Sequence, residues 1–241
     1  MIVFEHVYKN FEDNQVLRGL CLTIETGKIT SILGPSGCGK SVLLKHITGI
    51  LKPDRGTVWV SQQDISRLRR REIRELRKRI GVLFQSSALF DSMDVGQNIG
   101  FGLRMHTKSS ENEIRHKVEV CLALVGLPGV EDLMPDELSG GMRKRAALAR
   151  AIAMDPEYIL YDEPTTGLDP KMANIIGDLI LHLQNQLNIT SVVVSHDMAL
   201  AQRISDHMAL LYEGRIVSEG PPKEMERSEH EILRKFVQGE L

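Results

Sequence analysis

Cysteine is scarce in this chain. Cys21, Cys38 and Cys121 are odd in number, far apart and without metal-ligand spacing. That excludes a disulfide or zinc framework and points to reduced thiols. Aromatic residues make up only 5% of the chain, with a single tryptophan, and none interleaves the arginine-rich stretch. Stacking platforms normally accompany single-strand binding, so nucleic acid is not an expected partner. No run of about eighteen apolar residues occurs, which excludes a membrane-spanning helix. The N-terminal MIVFEHVYKNFED sets acids among its apolar residues and lacks the basic-then-apolar layout of a secretory signal, so the chain is expected in the cytosol. Internal repeats and low-complexity tracts are missing too. What remains is 241 residues that are 42% hydrophobic and 26% charged, enough for one large globular domain or a core with a subdomain.

Charge is balanced overall but not locally. Lysine and arginine number 30 against 32 acids, a formal −2, yet Arg67 to Arg79 holds eight bases and two acids. This stretch reads either as a solvated helix face or as a contact for anionic lipid or a protein partner.

Apolar periodicity predicts strands at Ile2 to Val7, Leu20 to Ile24 and Ile29 to Leu33. A helix follows from Lys40 to about Ile50, with Leu43, Ile47 and Ile50 on one face. Strands at Thr57 to Val60 and Ile80 to Phe84 flank the basic helix. From Ser86 to Glu137 the pattern changes to helices, clearest at Ile114 to Val125, as an inserted helical subdomain would. Alternation resumes with helix Gly141 to Met154, strand Tyr158 to Asp162, helix Lys171 to Leu187 and strand Ser191 to Ser195. Buried strands alternating with helices argue a mostly parallel sheet covered on both faces. A hairpin around Glu213-Gly214 and an amphipathic helix, with Ile232/Phe236 and Leu233/Val237 four apart, close the chain.

The chemistry concentrates in short motifs. Gly34-Pro35-Ser36-Gly37-Cys38-Gly39-Lys40-Ser41 fits G-x-x-x-x-G-K-[ST] between a strand and a helix. Its glycines let backbone N–H groups turn toward a phosphate, which the helix N-terminus also attracts. Lys40 is placed to reach the β- and γ-phosphates and the Ser41 hydroxyl to ligate Mg²⁺. Val42 stands where many such loops carry a second hydroxyl, leaving its backbone N–H for the α-phosphate. Tyr158-Ile-Leu-Tyr-Asp162-Glu163 is an apolar strand ending in two acids. Buried carboxylates are costly unless they meet a cation, so Asp162 is expected to hold the metal and Glu163 to act as general base on a water. Leu138-Ser139-Gly140-Gly141-Met142 opens a helix and offers a second bed of N–H groups. Alone, His196 after its strand reads more readily as a capped or core histidine, and Gln85 carries almost no signal.

In order, GPSGCGKS, Gln85, LSGGM, YILYDE, Gly167-Leu-Asp169 and His196 resemble the motif set of the ATP-binding-cassette (ABC) ATPases over essentially the whole chain. The resemblance implies an α/β P-loop fold with a mostly parallel sheet core, an N-terminal antiparallel β part and an inserted helical subdomain. Residues 1–241 would be a single ATPase domain, with 86–137 as the insert and 221–241 as a C-terminal helical extension. It also implies ATP and Mg²⁺ as ligands. Gln85 would link Mg²⁺ to a membrane partner, His196 would contact the γ-phosphate, and Phe11 would stack on adenine. Two cassettes of this family stack head to tail, each ATP lying between the phosphate loop of one and Ser139 to Met142 of the other. A homodimer on an integral-membrane permease is therefore expected. Met142 departs from the family's usual glutamine, which puts one side-chain contact in doubt.

FQSSALFDSMDVGQNIGFGLR, LSGGMRKRAALARAIAMDPEYILYDEPTTGLDP and the tail Phe236-Val-Gln-Gly239 are similar to the ABC subgroup of the MCE-type phospholipid transport systems. That similarity implies a permease and an MCE-domain subunit that handle lipid. A small STAS-domain protein would contact the helical region, and the chain would sit on the cytoplasmic face of the inner membrane through the permease. Two readings stay open beside it: the ATPase of a small-solute importer of the amino-acid type, and a division-type regulator that moves no substrate.

Overall fold

The computed structural model describes residues 1–12 and 14–241. In chain order, β1 (Ile2–Phe11), β2 (Asn14–Ile24) and β3 (Ile29–Leu33) lead into α1 (Lys40–Ile47). Next come β4 (Arg55–Val60), β5 (Gln63–Asp64), α2 (Arg70–Lys78) and β6 (Ile80–Leu83). Then α3 (Val95–His106) and α4 (Glu111–Leu124) precede a 3₁₀ turn at Pro135–Glu137 and α5 (Gly140–Ile152). The chain finishes with β7 (Tyr158–Asp162), α6 (Pro170–Leu187), β8 (Thr190–Ser195), α7 (Met198–Ile204), β9 (His207–Tyr212), β10 (Arg215–Gly220), α8 (Pro222–Glu226) and α9 (Glu231–Gln238).

Two sheets result. The first, ordered β2-β1-β4-β5, is antiparallel. The second, ordered β10-β9-β3-β8-β7-β6, is parallel from β9 to β6, with β10 antiparallel at its edge. The mostly parallel core and the N-terminal antiparallel part are as expected. Every residue of β3 and β8 is buried, as strands covered on both faces require. One core joins the inner faces of the two sheets around Leu43, Leu44 and Ile47 of α1. Another joins α3, α4, α5 and α6 to the parallel sheet through Ile99, Val118, Leu148 and Ile180. A third, smaller cluster seats Leu233 of α9 and Met225 of α8 against Leu210 of β9.

Several boundaries differ from the sequence reading. Strand β1 runs four residues past Val7, because register shifts between Phe4 and Asn10 interrupt the alternation that would have marked it. Strand β2 begins at Asn14 rather than Leu20. Helix α1 stops at Ile47: Gly49 turns left-handed at φ 64°, and Ile50 is left 60% exposed instead of on the apolar face. Strand β6 stops at Leu83, with Phe84 exposed. In α9, Leu233 is buried while Val237 is exposed.

Part of the basic stretch is structural. Arg77 donates to the carbonyls of Thr48 at 2.9 Å and Gly49 at 3.2 Å, closing the end of α1. Arg79 pairs with Glu157, Arg67 with Asp64 and Lys78 with Glu75. Among the described residues, Arg69, Arg70, Arg71 and Arg74 make no ion pair.

Candidate nucleotide site

Parallel strands deliver their following residues to one edge of the sheet, where ligands of such folds bind. The neighbouring strands β3, β8, β7 and β6 release the phosphate loop, His196, Glu163 and Gln85 in that spatial order. A cleft of about 440 Å³ opens there, lined by Phe11, Val16, Ser36, Gly37, Gly39, Lys40, Ser41, Val42, Gln85, Glu163, Thr166 and His196. A cavity of about 830 Å³ elsewhere holds none of the expected site residues, so volume does not select the site. Convergent polar groups do.

At the start of α1, Gly39 takes φ 109°, a left-handed conformation that other residues reach only with strain, and no side chain caps the helix. The first-turn N–H groups thus face the cleft as an anion bed. Lys40 is 7% exposed. Its Nζ donates to the carbonyls of Gly34 at 2.6 Å and Pro35 at 3.1 Å, and lies 3.4 Å from Glu163 Oε1. Cys38 does not line the cleft, and burial raises its thiol pKa, so it fills the loop as a neutral group.

Glu163 is the hub. Its side chain is 14% exposed, and Oε2 meets His196 Nδ1 at 2.8 Å and the Thr166 hydroxyl at 3.1 Å. The backbone of Glu163 is left-handed at φ 49°, with its N–H bonded to Val194 O at 2.9 Å. Such a conformation costs of order 1 kcal/mol or more in a residue with a Cβ, and its place beside converging polar side chains is typical of functional sites. Next to it, Asp162 accepts from the Ser41 hydroxyl at 3.2 Å. Burial pushes the Asp162 carboxyl above the usual range, with the Ser41 bond opposing it.

These groups suit a hard divalent cation. Ser41 and Asp162 supply oxygens at hydrogen-bond distance, the ligand type that Mg²⁺ prefers. Among the described residues, no group of three or more His, Cys, Asp or Glu side chains could hold a metal by itself. A cation at Ser41 and Asp162 would need further oxygens from the Gln85 amide, phosphate or water, as Mg²⁺ commonly uses.

The expected second anion bed lies apart. Ser139, Gly140, Gly141 and Met142 are not among the residues lining the cleft. Ser139 is exposed and caps α5, its Oγ accepting from Met142 N at 3.3 Å. A Cβ on Gly141 would sit 2.1 Å from Met172 Cε at the start of α6, a contact that the flexible methionine can relieve by swinging its methyl aside. Met142 packs partly buried against the helical core.

Sequence reasoning passed over Thr166, Val16 and Lys144. Thr166 follows Glu163 by three residues, a spacing that a search for partners of the carboxylate would have reached. Val16 comes from β2, remote in sequence, and only the fold brings it to the cleft.

Residues 17–166 match the ABC transporter family. The chain is 46% identical, over 95% of its length and 86% of the relative's, to the intermembrane phospholipid transport system ATP-binding protein MlaF of Haemophilus influenzae. It is 43% identical, over 96% of its length and 64% of the relative's, to the probable ribonucleotide transport ATP-binding protein mkl of Mycobacterium bovis. Among solved structures, the dimeric post-hydrolysis state of the ATP-binding cassette MJ0796 bound to ADP and Pi superposes with a TM-score of 0.84 at 31% identity, covering 92% of this chain and 99% of that one. By motif order, sheet topology and sequence, the chain belongs to the ABC transporter family of ATPases.

Proposed function

We propose that the chain binds ATP with Mg²⁺ in the cleft at the end of β3, hydrolyses it, and as one of a pair of copies powers the movement of phospholipid between membranes. The observation that carries the catalytic part is the convergence on Glu163: Lys40, His196 and Thr166 all lie within 3.4 Å of its carboxylate oxygens. Lys40 and the N–H groups of α1 bind the β- and γ-phosphates, while Phe11 and Val16 supply an apolar wall for the base. Ser41 and Asp162, with Gln85 nearby, hold Mg²⁺, which when bound offsets phosphate charge. Glu163 orients a water and accepts its proton, and His196 steadies the carboxylate while contacting the γ-phosphate.

Pairing of two copies rests on the detached second anion bed. Ser139 to Met142 lie outside the cleft of their own chain, so they are available to the nucleotide of another, and the dimeric cassette of known structure supports that arrangement. In this reading residues 1–241 are a single ATPase domain, 86–137 a helical subdomain and 221–241 a C-terminal extension. An apolar groove of about 610 Å³ lies where the subdomain meets the core. Its floor includes the exposed Phe84, Phe90 and Phe101, and Arg74 is at its rim. It suits an integral-membrane permease, since none of the described helices is long and apolar enough to cross a membrane. An MCE-domain subunit and a STAS-domain protein would complete the complex, on the cytoplasmic face of the inner membrane.

Phospholipid as the cargo rests on the MlaF relative; the mkl name favours a ribonucleotide instead. Glu163→Gln is expected to keep ATP bound and lower hydrolysis by roughly 100-fold or more. Retained hydrolysis overturns the catalytic assignment. Transfer of labelled phospholipid between vesicles by the reconstituted complex, dependent on ATP, checks the cargo; ribonucleotide uptake in its place would overturn it.

A further inference from the structure

The geometry points to Lys144 as a positioning residue for hydrolysis, tying the helix that opens with Ser139 to the turn that presents Glu163 and to the backbone of Gln85. Lys144 is 4% exposed, although it sits in a basic run, Arg143 to Arg145. Lysine is seldom buried without compensation, because removing an ammonium from water is costly. The compensation here is specific. Nζ donates to Gln85 O at 2.6 Å and also reaches Glu163 O at 3.4 Å. Burial lowers the Lys144 pKa, and the charges of Asp162 and Glu163 oppose that shift.

Both anchored carbonyls belong to segments that must stay in place. Glu163 is held left-handed at φ 49°, and three contacts to its own backbone fix it: N–H to Val194 O at 2.9 Å, and C=O accepting from Thr166 N–H at 3.3 Å and from Lys144 Nζ at 3.4 Å. Without Lys144 the Glu163 carbonyl keeps only the bond from Thr166 N–H, inside the same turn, and loses its tie to α5, so the peptide after Glu163 is less restrained and the carboxylate aims less firmly at His196. Gln85 follows the end of β6, and the next residues turn left-handed at Ser87 and Ala88, whose carbonyls accept from Arg150 of the same helix α5. Helix α5 therefore grips this loop at two places, and at the inner one the same ammonium also faces the turn after β7. An error of about 1 Å in a catalytic group is enough for a large loss of rate. Lys144 is bonded to neither the phosphate loop nor Phe11 and holds Gln85 only by its backbone carbonyl, so nucleotide affinity is expected to change little.

This inference rests on Glu163 being the base, and the experiment separates the two. In the full chain with ATP and Mg²⁺, Lys144→Met is expected to lower kcat about 10-fold, with KM and the ATP affinity measured by titration within about 2-fold. Lys144→Gln, which keeps N–H donors without the charge, is expected to recover kcat to within about 3-fold. In a Glu163→Gln background, Lys144→Met should lower the residual rate by less than about 2-fold, because residues that act as a unit are non-additive. Unchanged kcat in Lys144→Met overturns the proposal. So does a full further loss in the Glu163→Gln background, or unfolding of both Lys144 variants, which would make the residue a core anchor only. If Glu163→Gln itself leaves hydrolysis intact, the base assignment fails instead.

Discussion

Two helices of this molecule begin with glycines and an uncapped or lightly capped turn, yet they are furnished differently. At α1, Lys40, Ser41, Glu163, Thr166 and His196 crowd around the first turn, because strands β3, β8 and β7 end side by side there. At α5, Ser139 caps its own helix and a Cβ on Gly140 would meet nothing within 4 Å. Both present N–H groups to an anion. Only the first also brings the side chains that chemistry needs. The contrast shows that a helix start becomes a reactive site through the neighbours that the sheet supplies, and that the bare start can at most add to a site assembled elsewhere.

The contrast breaks if the two starts respond alike. Lys40→Ala should weaken ATP binding roughly 10- to 100-fold, since it removes a charge-assisted donor to phosphate; equilibrium titration of the full chain measures this. Gly141→Ala should change stability by less than about 1 kcal/mol in denaturant unfolding, since the Met172 methyl can swing aside and alanine favours the helix, while turnover in the assembled complex falls if the Gly141 N–H must approach a phosphate closely. Ser139→Ala is expected to slow turnover in the assembled complex about 10-fold while the isolated chain keeps its ATP affinity within 2-fold, with a loss of about 1 kcal/mol from the missing cap. If instead the isolated chain loses affinity on Ser139→Ala, the two beds belong to one pocket. The smallest effect is reserved for Val42→Thr. A hydroxyl there supplies the second oxygen that many such loops carry, but Val42 packs against the α1 core, so any gain in ATP affinity should stay under about 3-fold.

Sequence carried the parallel sheet because its strands are short, apolar and β-branched, and each is followed by a glycine- or acid-marked turn. It also carried the residues that gather in the cleft, since their motifs sit at strand ends. It failed where structure depends on partners far along the chain. The bulges of β1 hid the last four residues of that strand, and although the hairpin expected at Glu213-Gly214 is present as β9 and β10, the parallel pairing of β9 with the distant β3 left no local sign. Helix α7, only seven residues long, gave too few turns for a periodic signal. Lys144 was unreadable for the same reason: its burial is set by β6 and β7, not by its neighbours in α5. The left-handed turn at Glu163 leaves no trace in composition, because nothing in the residue type demands it.

Strand β3 is flanked by β8 and β9, and both lie far downstream: Leu33 pairs with Ser195, roughly 160 residues on. During synthesis, the segment that shapes the phosphate loop therefore emerges early and waits for most of the polypeptide before its neighbours exist. At about 5–20 residues per second, that interval lasts roughly 8–30 seconds. Nascent chains stalled before residue 190 should consequently fail to retain nucleotide on the ribosome, and the ability to do so should arrive late and abruptly. An apolar strand left unpaired for that long is also a target for chaperones, which makes the central position of β3 a burden on biogenesis as well as the foundation of the site.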